Sequence, residues 1–251
     1  MAVEKDKSND KTESSNSSIC KKAAGIKAFV FDMDGLLFDS ERIVQRSWEI
    51  AGDELGIPHM GDIIYHTLGM NRAGRNEYFR KHIREDFPFE EFGELTRDNF
   101  WKIVDKEGLP LKRGAKELLA YGKEQGYKMA VATSSSREYA MGNLIRAGID
   151  SYFDNVICGD MVKKAKPDPE IYQKACESLG IPPADCMAFE DAPGGILSAH
   201  QAGMQVIMVP DLVQPTEEIR NLTYRVCDSL ADVIGDGKSG FFPVPGGFQA
   251  R

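Results

Sequence analysis

Apolar and polar positions along the chain form two alternating kinds of segment. Five short runs are almost continuously apolar, at residues 26–31, 127–132, 155–158, 186–189 and 205–209. A continuous run, rather than one that alternates with polar residues, is typical of a parallel β-strand that is covered on both faces. We therefore predict that these five runs form the buried strands of one sheet.

Helical patterns lie between these runs, at residues 136–147, 169–179 and 193–202. Asp168 and Pro169 have the order of a helix N-cap followed by proline at the first helical position. Strands that alternate with helices are joined by right-handed crossover connections. The pattern therefore predicts an α/β fold, a doubly wound, Rossmann-like parallel sheet.

The stretch between residues 46 and 112 interrupts this alternation, because it contains no convincing strand run. Its amphipathic segments and the breaks between them lie at 41–55, 56–58, 73–83, 87–88 and 89–106. We interpret this stretch as an α-helical cap subdomain that is inserted after the first strand.

The predicted domain organisation follows from these patterns. Residues 1–25 are mainly Lys, Asp, Glu, Ser and Asn with little to bury, which is typical of a disordered tail. We assign residues 26–45 and 112–236 to the α/β core and residues 46–111 to the helical cap. Residues 237–251 remain as a C-terminal extension.

Composition narrows the class of protein. The chain has 251 residues, of which 42% are hydrophobic, enough for one core and a smaller satellite. The net charge of −8 argues against a non-specific nucleic-acid binder, and no apolar run could span a bilayer or act as a signal peptide. The five cysteines are scattered and form no metal-binding or redox pair. We expect a cytoplasmic protein with reduced thiols and with neither a nucleic-acid nor a membrane partner.

Residues that could take part in catalysis or ligand binding follow four of the five predicted strands. In chain order they are Asp32, Asp34 and Gly35, then Thr133 and Ser134, then Lys166, and finally Glu190 and Asp191. In an open parallel sheet, ligands bind outside the carboxyl ends of the strands. The sequence therefore predicts one site in which these residues meet.

A cluster of four carboxylates would repel itself unless a cation lay among them, and oxygen ligands suit Mg²⁺. Beside such a cation, Lys166 and the Thr133 hydroxyl could bind a phosphate group, and Gly35 would let the backbone approach a phosphoryl oxygen. One aspartate could then attack phosphorus while the other transfers protons.

Each of these residues also has a purely structural interpretation. Asp32 and Asp34 could form a turn that ends a strand, and Thr133 could cap a helix. Lys166 could be an exposed loop lysine, and the pair Glu190-Asp191 could cap the following helix. Taken singly, none of the residues distinguishes the two interpretations.

Four segments together resemble a known family. The segments DMDGLLFDS, VATSS, KPDPEIY and FEDAPGGILSA are similar, in this order, to the four signature motifs of the haloacid dehalogenase-like hydrolase superfamily. The matching subgroup includes β-phosphoglucomutases and pseudouridine-5′-phosphatases, and it carries a helical cap between its first two motifs. The resemblance implies a phosphoric monoester hydrolase with an aspartyl-phosphate intermediate, acting on a sugar phosphate or nucleoside monophosphate.

The resemblance also assigns roles to individual residues. It implies that Asp32 is the nucleophile and that Asp34 is the acid/base. It implies that the transferred phosphoryl group is bound by Gly35, Thr133, Ser134 and Lys166. It implies that Mg²⁺ is held by Asp32, the main-chain carbonyl of Asp34, Asp191 and, directly or through water, Glu190.

The sequence leaves two alternatives to a phosphatase open. Arg72 resembles the cap arginine with which β-phosphoglucomutases bind the substrate phosphate, but Val44 stands where those mutases carry a histidine. We therefore favour a phosphatase over a phosphosugar mutase. A non-enzymatic phospho-receiver domain is the second alternative, although receivers lack the Asp-x-Asp pair and the cap. We expect a monomer, because in this subgroup the cap covers the site.

Overall fold

The computed structural model describes residues 25–67 and 72–234. The tail predicted for residues 1–25, apart from Gly25, and the extension at 237–251 lie outside the described residues. Within the described ranges there is one six-stranded sheet, in the order β3-β2-β1-β4-β5-β6, and all neighbouring strands are parallel. The strands are β1 (Ala28–Phe31), β2 (Lys128–Ala132), β3 (Asn155–Ile157), β4 (Cys186–Glu190), β5 (Gln205–Met208) and β6 (Arg225–Val226).

Helices cover the sheet on both faces, which explains why its strands are apolar throughout. The helices that follow the inserted region are α5 (Ala115–Glu124), α6 (Arg137–Arg146), α7 (Glu170–Leu179), α8 (Pro193–Gln201) and α9 (Glu217–Leu222). In β1, Phe29 and Phe31 belong to one buried cluster, while Ala28 and Val30 belong to the other. The predicted doubly wound sheet is confirmed, with β6 as an additional edge strand.

The inserted region is helical, as predicted. Its helices are α1 (Ser40–Glu54), α2 (Met60–Thr67), α3 (Arg72–His82) and α4 (Phe89–Glu107). They pack around a hydrophobic cluster of their own that includes Trp48, Phe79 and Phe92. The exact domain boundaries and the covering role of these helices stay predictions.

Two chain segments join the inserted helices to the sheet, and they run side by side. The Asp39 amide donates to the Pro110 carbonyl over 2.8 Å, and the Lys112 amide donates to the Leu37 carbonyl over 2.9 Å. Phe38 is fully buried between them and the core. These contacts fix where the helices begin relative to the end of β1.

Helix length and composition also bear on membrane insertion. Across the described ranges, the protein has no helix with the length and apolar character that crossing a membrane requires.

Candidate active site

The register of the three central strands sets the position of the site. Phe31 of β1 pairs with Val131 of β2 on one side and with Phe189 of β4 on the other. The carboxyl ends of these strands therefore lie level with one another. Asp32 directly follows β1, and Glu190 is the last residue of β4.

Lys166 connects the ends of β1 and β4. Its Nζ lies 2.5 Å from Asp32 Oδ1 and 2.6 Å from Glu190 Oε1, and it also donates to the Ala132 carbonyl over 3.0 Å. The exposed fractions of the Lys166, Asp32 and Glu190 side chains are only 10%, 10% and 1%. Lys166 is therefore a buried cation between two acids and not the exposed loop lysine of the structural interpretation.

Burial and charge act in opposite directions on these groups. Burial raises the pKa of Asp32 to about 7, although the neighbouring Lys166 opposes the shift. Burial alone would lower the pKa of Lys166, but Asp32 and Glu190 hold that pKa above its ordinary value. Lys166 therefore stays charged at the centre of the site.

Asp191 completes a cluster of three carboxyl groups. Oxygen atoms of Asp32, Glu190 and Asp191 all lie within 4.8 Å of one another. Burial, followed by the charges of Glu190 and Asp32, raises the pKa of Asp191 well above its ordinary value. In the part of the chain that the structure describes, neither the Asp191 carboxylate nor Asp32 Oδ2 accepts a hydrogen bond. These open oxygens fit a hard divalent cation.

Two glycines make room for the acidic cluster. A Cβ on Gly35 would collide with Asp191 Oδ2, and one on Gly195 would overlap the Glu190 carboxylate. Gly35 also has a φ of +82°, in the left-handed region that side chains disfavour. In the structure, Gly35 thus serves the close approach of Asp191, whereas its predicted contact with phosphate is untested.

Asp34 has a different environment from Asp32. Ser135 Oγ donates to Asp34 Oδ2 over 2.7 Å, and the Tyr139 hydroxyl donates to Asp34 Oδ1 over 3.0 Å. Burial raises the pKa of Asp34, while the hydroxyl donors oppose the shift. The side chain is not part of the cluster that Asp32, Glu190 and Asp191 form. The binding of the metal by the main-chain carbonyl of Asp34 stays a prediction.

The residues after β2 present hydroxyl groups to the same edge. Thr133 is buried, and its Oγ1 accepts from the Ser135 amide over 3.1 Å, so its own hydrogen is available for a ligand. The side chain of Ser134 is exposed. Phosphate binding by Thr133 and Ser134 stays a prediction.

Comparisons with known proteins decide the family. A family model described as haloacid dehalogenase-like hydrolase matches residues 26–203. The chain belongs to this family. YhcW of Bacillus subtilis, which carries a provisional phosphatase name, is 32% identical over 212 residues, covering 83% of this chain and 94% of the relative. A Drosophila melanogaster relative named "Probable pseudouridine-5′-phosphatase" is 32% identical over 209 residues, covering 81% and 89%.

A solved structure from Thermotoga maritima, with a provisional β-phosphoglucomutase name, is also similar. It matches with a TM-score of 0.71 and 25% identity, covering 83% of this chain and 96% of that one. Together the matches confirm the predicted enzyme class, a phosphoric monoester hydrolase of the haloacid dehalogenase-like family. They do not support the phospho-receiver alternative.

Polar groups beyond the predicted set also lie at this site. Tyr172 of α7 is fully buried; its hydroxyl donates to Glu190 Oε1 over 2.6 Å, and its ring centroid lies 4.9 Å from Lys166 Nζ. Tyr172 is the last residue of the KPDPEIY motif, one helical turn after Pro169, so the motif itself could have indicated it as a site residue.

Glu41 in the first turn of α1 was also missed. Burial, followed by the charges of Asp211 and Asp34, raises the pKa of Glu41 to about 7. Its surroundings also include Arg75 of α3. Glu41 thus lies between the edge of the sheet and the inserted helices.

The predicted substrate contact Arg72 is the first residue of α3, and its side chain lies outside the described residues. Arg75 follows in the same helix, and its guanidinium carbon lies 5.7 Å from the Trp48 ring centroid. Both Arg75 and Trp48 line a cavity of about 500 Å³ among the inserted helices, together with Val44.

Proposed function

We propose that the protein is a Mg²⁺-dependent phosphatase that hydrolyses a small phosphorylated metabolite through an aspartyl-phosphate. The observation that carries the proposal is the juxtaposition at the end of β1. There, Asp32 is paired with Lys166 inside the acidic cluster, and Asp34 is held two residues away by hydroxyl groups. This arrangement supports attack by one carboxyl group and proton transfer by the other.

In the first step, a carboxylate oxygen of Asp32 forms a bond to phosphorus as the bond from phosphorus to the leaving oxygen breaks. Asp34 gives its proton to that oxygen, so the product leaves as an alcohol. In the second step, water attacks phosphorus and the bond to Asp32 breaks, while Asp34 takes the proton from water. Inorganic phosphate leaves and both carboxyl groups return to their initial forms.

The phosphoryl oxygens are proposed to contact Lys166, the Thr133 and Ser134 residues and the backbone at Gly35. Lys166 has the charge for this role, and its position against Asp32 supports it, because a phosphoryl group bound there would lie beside the attacking atom. Thr133 also supports phosphate binding, because its Oγ1 accepts from the Ser135 amide and the hydroxyl hydrogen stays available.

The metal would be held by Asp32, Asp191 and the main-chain carbonyl of Asp34, with Glu190 bound directly or through water. When bound, Mg²⁺ supplies positive charge that offsets the crowded carboxylates and the charge developing on phosphorus. The open oxygens of Asp32 and Asp191 support this set, whereas Glu190 Oε1 is already occupied by Lys166 and Tyr172.

We propose a sugar phosphate or a nucleoside monophosphate as the substrate class. Arg75 bears on this choice as a cation of the inserted helices that lies near Glu41, whose own surroundings include Asp34. The Drosophila relative's name points to a nucleoside phosphate. Arg72 remains a proposed contact of the substrate.

A phosphosugar mutase is the second candidate, and the name of the Thermotoga maritima structure favours it. A mutase must protect its aspartyl-phosphate from water. At the position where the mutases carry a histidine, this chain has Val44, whose side chain offers neither a charge nor a hydrogen bond. The phosphatase accordingly ranks first.

A screen of phosphorylated metabolites with Mg²⁺ tests this proposal, scoring free phosphate and isomerised product together. We expect free phosphate from at least one sugar phosphate or nucleoside monophosphate, and its loss when EDTA removes the metal. Faster conversion of β-glucose 1-phosphate into glucose 6-phosphate than release of phosphate would replace the phosphatase with the mutase. The absence of both reactions across the panel would contradict both candidates.

A further inference from the structure

We propose that Tyr139 is a positioning residue that fixes the orientation of the Asp34 carboxyl group and ties that orientation to helix α4. The inference rests on the proposed function, in which Asp34 is the acid/base. It adds a residue outside the four sequence motifs and a physical link between proton transfer and the inserted helices.

The first observation is the pair of hydrogen bonds on Asp34. Each carboxyl oxygen has its own donor: Tyr139 at 3.0 Å from Oδ1 and Ser135 at 2.7 Å from Oδ2. One donor would leave the carboxyl group free to rotate about its Cβ–Cγ bond. Two donors on opposite oxygens fix that rotation.

The second observation concerns what holds the Tyr139 ring. Its centroid lies 5.5 Å from that of Trp101 and 6.1 Å from that of Phe100, and both of these residues belong to α4. The ring therefore packs against the inserted helices, while its hydroxyl reaches the edge of the sheet. Tyr139 is half-buried, which makes its hydroxyl a better-defined donor than one in open solvent.

The backbone of Tyr139 is also fixed. The residue lies in the first turn of α6, where its amide donates to the side chain of the N-cap residue Ser136. With the backbone anchored on the core and the ring packed against α4, the hydroxyl position depends on both parts of the molecule. A shift of α4 would remove the ring's packing partners and loosen the Asp34 carboxyl group.

The hydroxyl group remains a donor over the ordinary pH range. Burial, followed by the charge of Asp34, raises the pKa of Tyr139 above its ordinary value. Removal of this hydroxyl alone is therefore a clean perturbation, because Tyr139→Phe keeps the ring and its contacts with Trp101 and Phe100.

The test compares two leaving groups with the same enzyme. Proton transfer from Asp34 matters more for phenyl phosphate, whose leaving oxygen is strongly basic, than for 4-nitrophenyl phosphate. We expect Tyr139→Phe to lower kcat/KM about 10-fold for phenyl phosphate, the size of one lost hydrogen bond to a carboxylate, and less than about 3-fold for 4-nitrophenyl phosphate. Tyr65→Phe, at a half-exposed hydroxyl on α2, is the matched control and should change neither value.

An equal loss with both substrates, or no loss with either, would overturn the role of the hydroxyl. Ser135→Ala removes the donor to Oδ2 and should show the same leaving-group dependence, which keeps the test decisive if Tyr139→Phe folds poorly. Trp101→Leu should give a smaller loss in the same direction, and an unchanged ratio there would overturn the link to α4.

Failure of the proposed function would give a different result. Asp34→Asn should show a stronger dependence on the leaving group than any of these variants. If Asp34→Asn shows none, the acid role of Asp34 is wrong. If Asp34→Asn shows it and Tyr139→Phe does not, only the inference about Tyr139 is wrong.

Discussion

Asp32 and Asp34 lie two residues apart at the end of one strand, yet Asp32 has a cationic partner and Asp34 has neutral hydroxyl partners. Asp32 lies against Lys166 and shares it with Glu190, which comes from the end of β4. Asp34 faces the segment after β2, where Ser135 and Tyr139 offer hydroxyl groups. The two side chains thus contact different segments: Asp32 contacts Lys166 in the segment before α7, and Asp34 contacts the loop after β2 and the first turn of α6.

Under the proposed function, this difference in surroundings separates the carboxyl group that attacks from the one that transfers protons. A cation beside Asp32 favours its ionised form and opposes the effect of burial on its pKa. At Asp34 burial raises the pKa, and the nearest partners are neutral donors. Identical side chains thus have different surroundings, which is the basis of the separate roles that we propose for them.

The largest expected effect comes from replacing the carboxylate beside the cation. Asp32→Asn removes the proposed nucleophile, so we expect Mg²⁺-dependent hydrolysis of 4-nitrophenyl phosphate to fall roughly 10⁴-fold or more, the range seen when covalent catalysis is lost. Steady-state release of 4-nitrophenol measures it. Asp53→Asn on the exposed surface of α1 is the matched control.

Retention of wild-type turnover by Asp32→Asn would exclude Asp32 as the nucleophile and would leave the ionic surroundings of Asp32 without a catalytic purpose.

A smaller effect is expected from Asp34→Asn. Loss of an acid/base lowers turnover by about 10²- to 10⁴-fold, with the larger value for substrates whose leaving oxygen is strongly basic. Mg²⁺ affinity should stay the same, because the proposed ligand at this position is the main-chain carbonyl. Turnover of phenyl phosphate and Mg²⁺ titration by calorimetry measure the two quantities on one sample.

A large loss of Mg²⁺ affinity in Asp34→Asn would place the Asp34 side chain among the metal ligands. The contrast between the two aspartates would then fail, because both would belong to the ionic cluster.

The contrast could be predicted only in part from the sequence. Continuous apolar runs located β1 to β5 to within a few residues, since a strand covered on both faces has to be apolar at every position. The strand ends then placed Asp32, Lys166 and Glu190 at one edge. The two-residue strand β6 was missed because Arg225 and Val226 are too few to form a pattern.

Side-chain partners could not be predicted in the same way. Tyr139 lies 105 residues from Asp34 along the chain, and its position depends on how α6 packs between the sheet and α4. No local periodicity encodes such a meeting. Helix α2 was missed for a related reason: it is eight residues long, and its buried side chains Met60 and Ile64 are recognisable only against α1.

The smallest of the expected effects concerns stability and tests only the ionic contacts of Asp32. Lys166→Met removes the cation that Asp32 and Glu190 share, leaving two buried acids without a counter-charge. We expect the free energy of unfolding in metal-free buffer at pH 8 to fall by about 3–5 kcal/mol. Urea denaturation followed by circular dichroism measures it.

Lys164→Met is the matched control, because Lys164 is 73% exposed and its ion pair with Asp168 is a surface one. Its change should stay within about 1 kcal/mol. The deficit of Lys166→Met should shrink as pH falls from 8 towards 4, since a buried carboxyl with a raised pKa binds a proton in the folded state before the unfolded chain does. A deficit that is independent of pH would mean that Lys166 stabilises the fold by packing, and that the difference between the two aspartates does not depend on its charge.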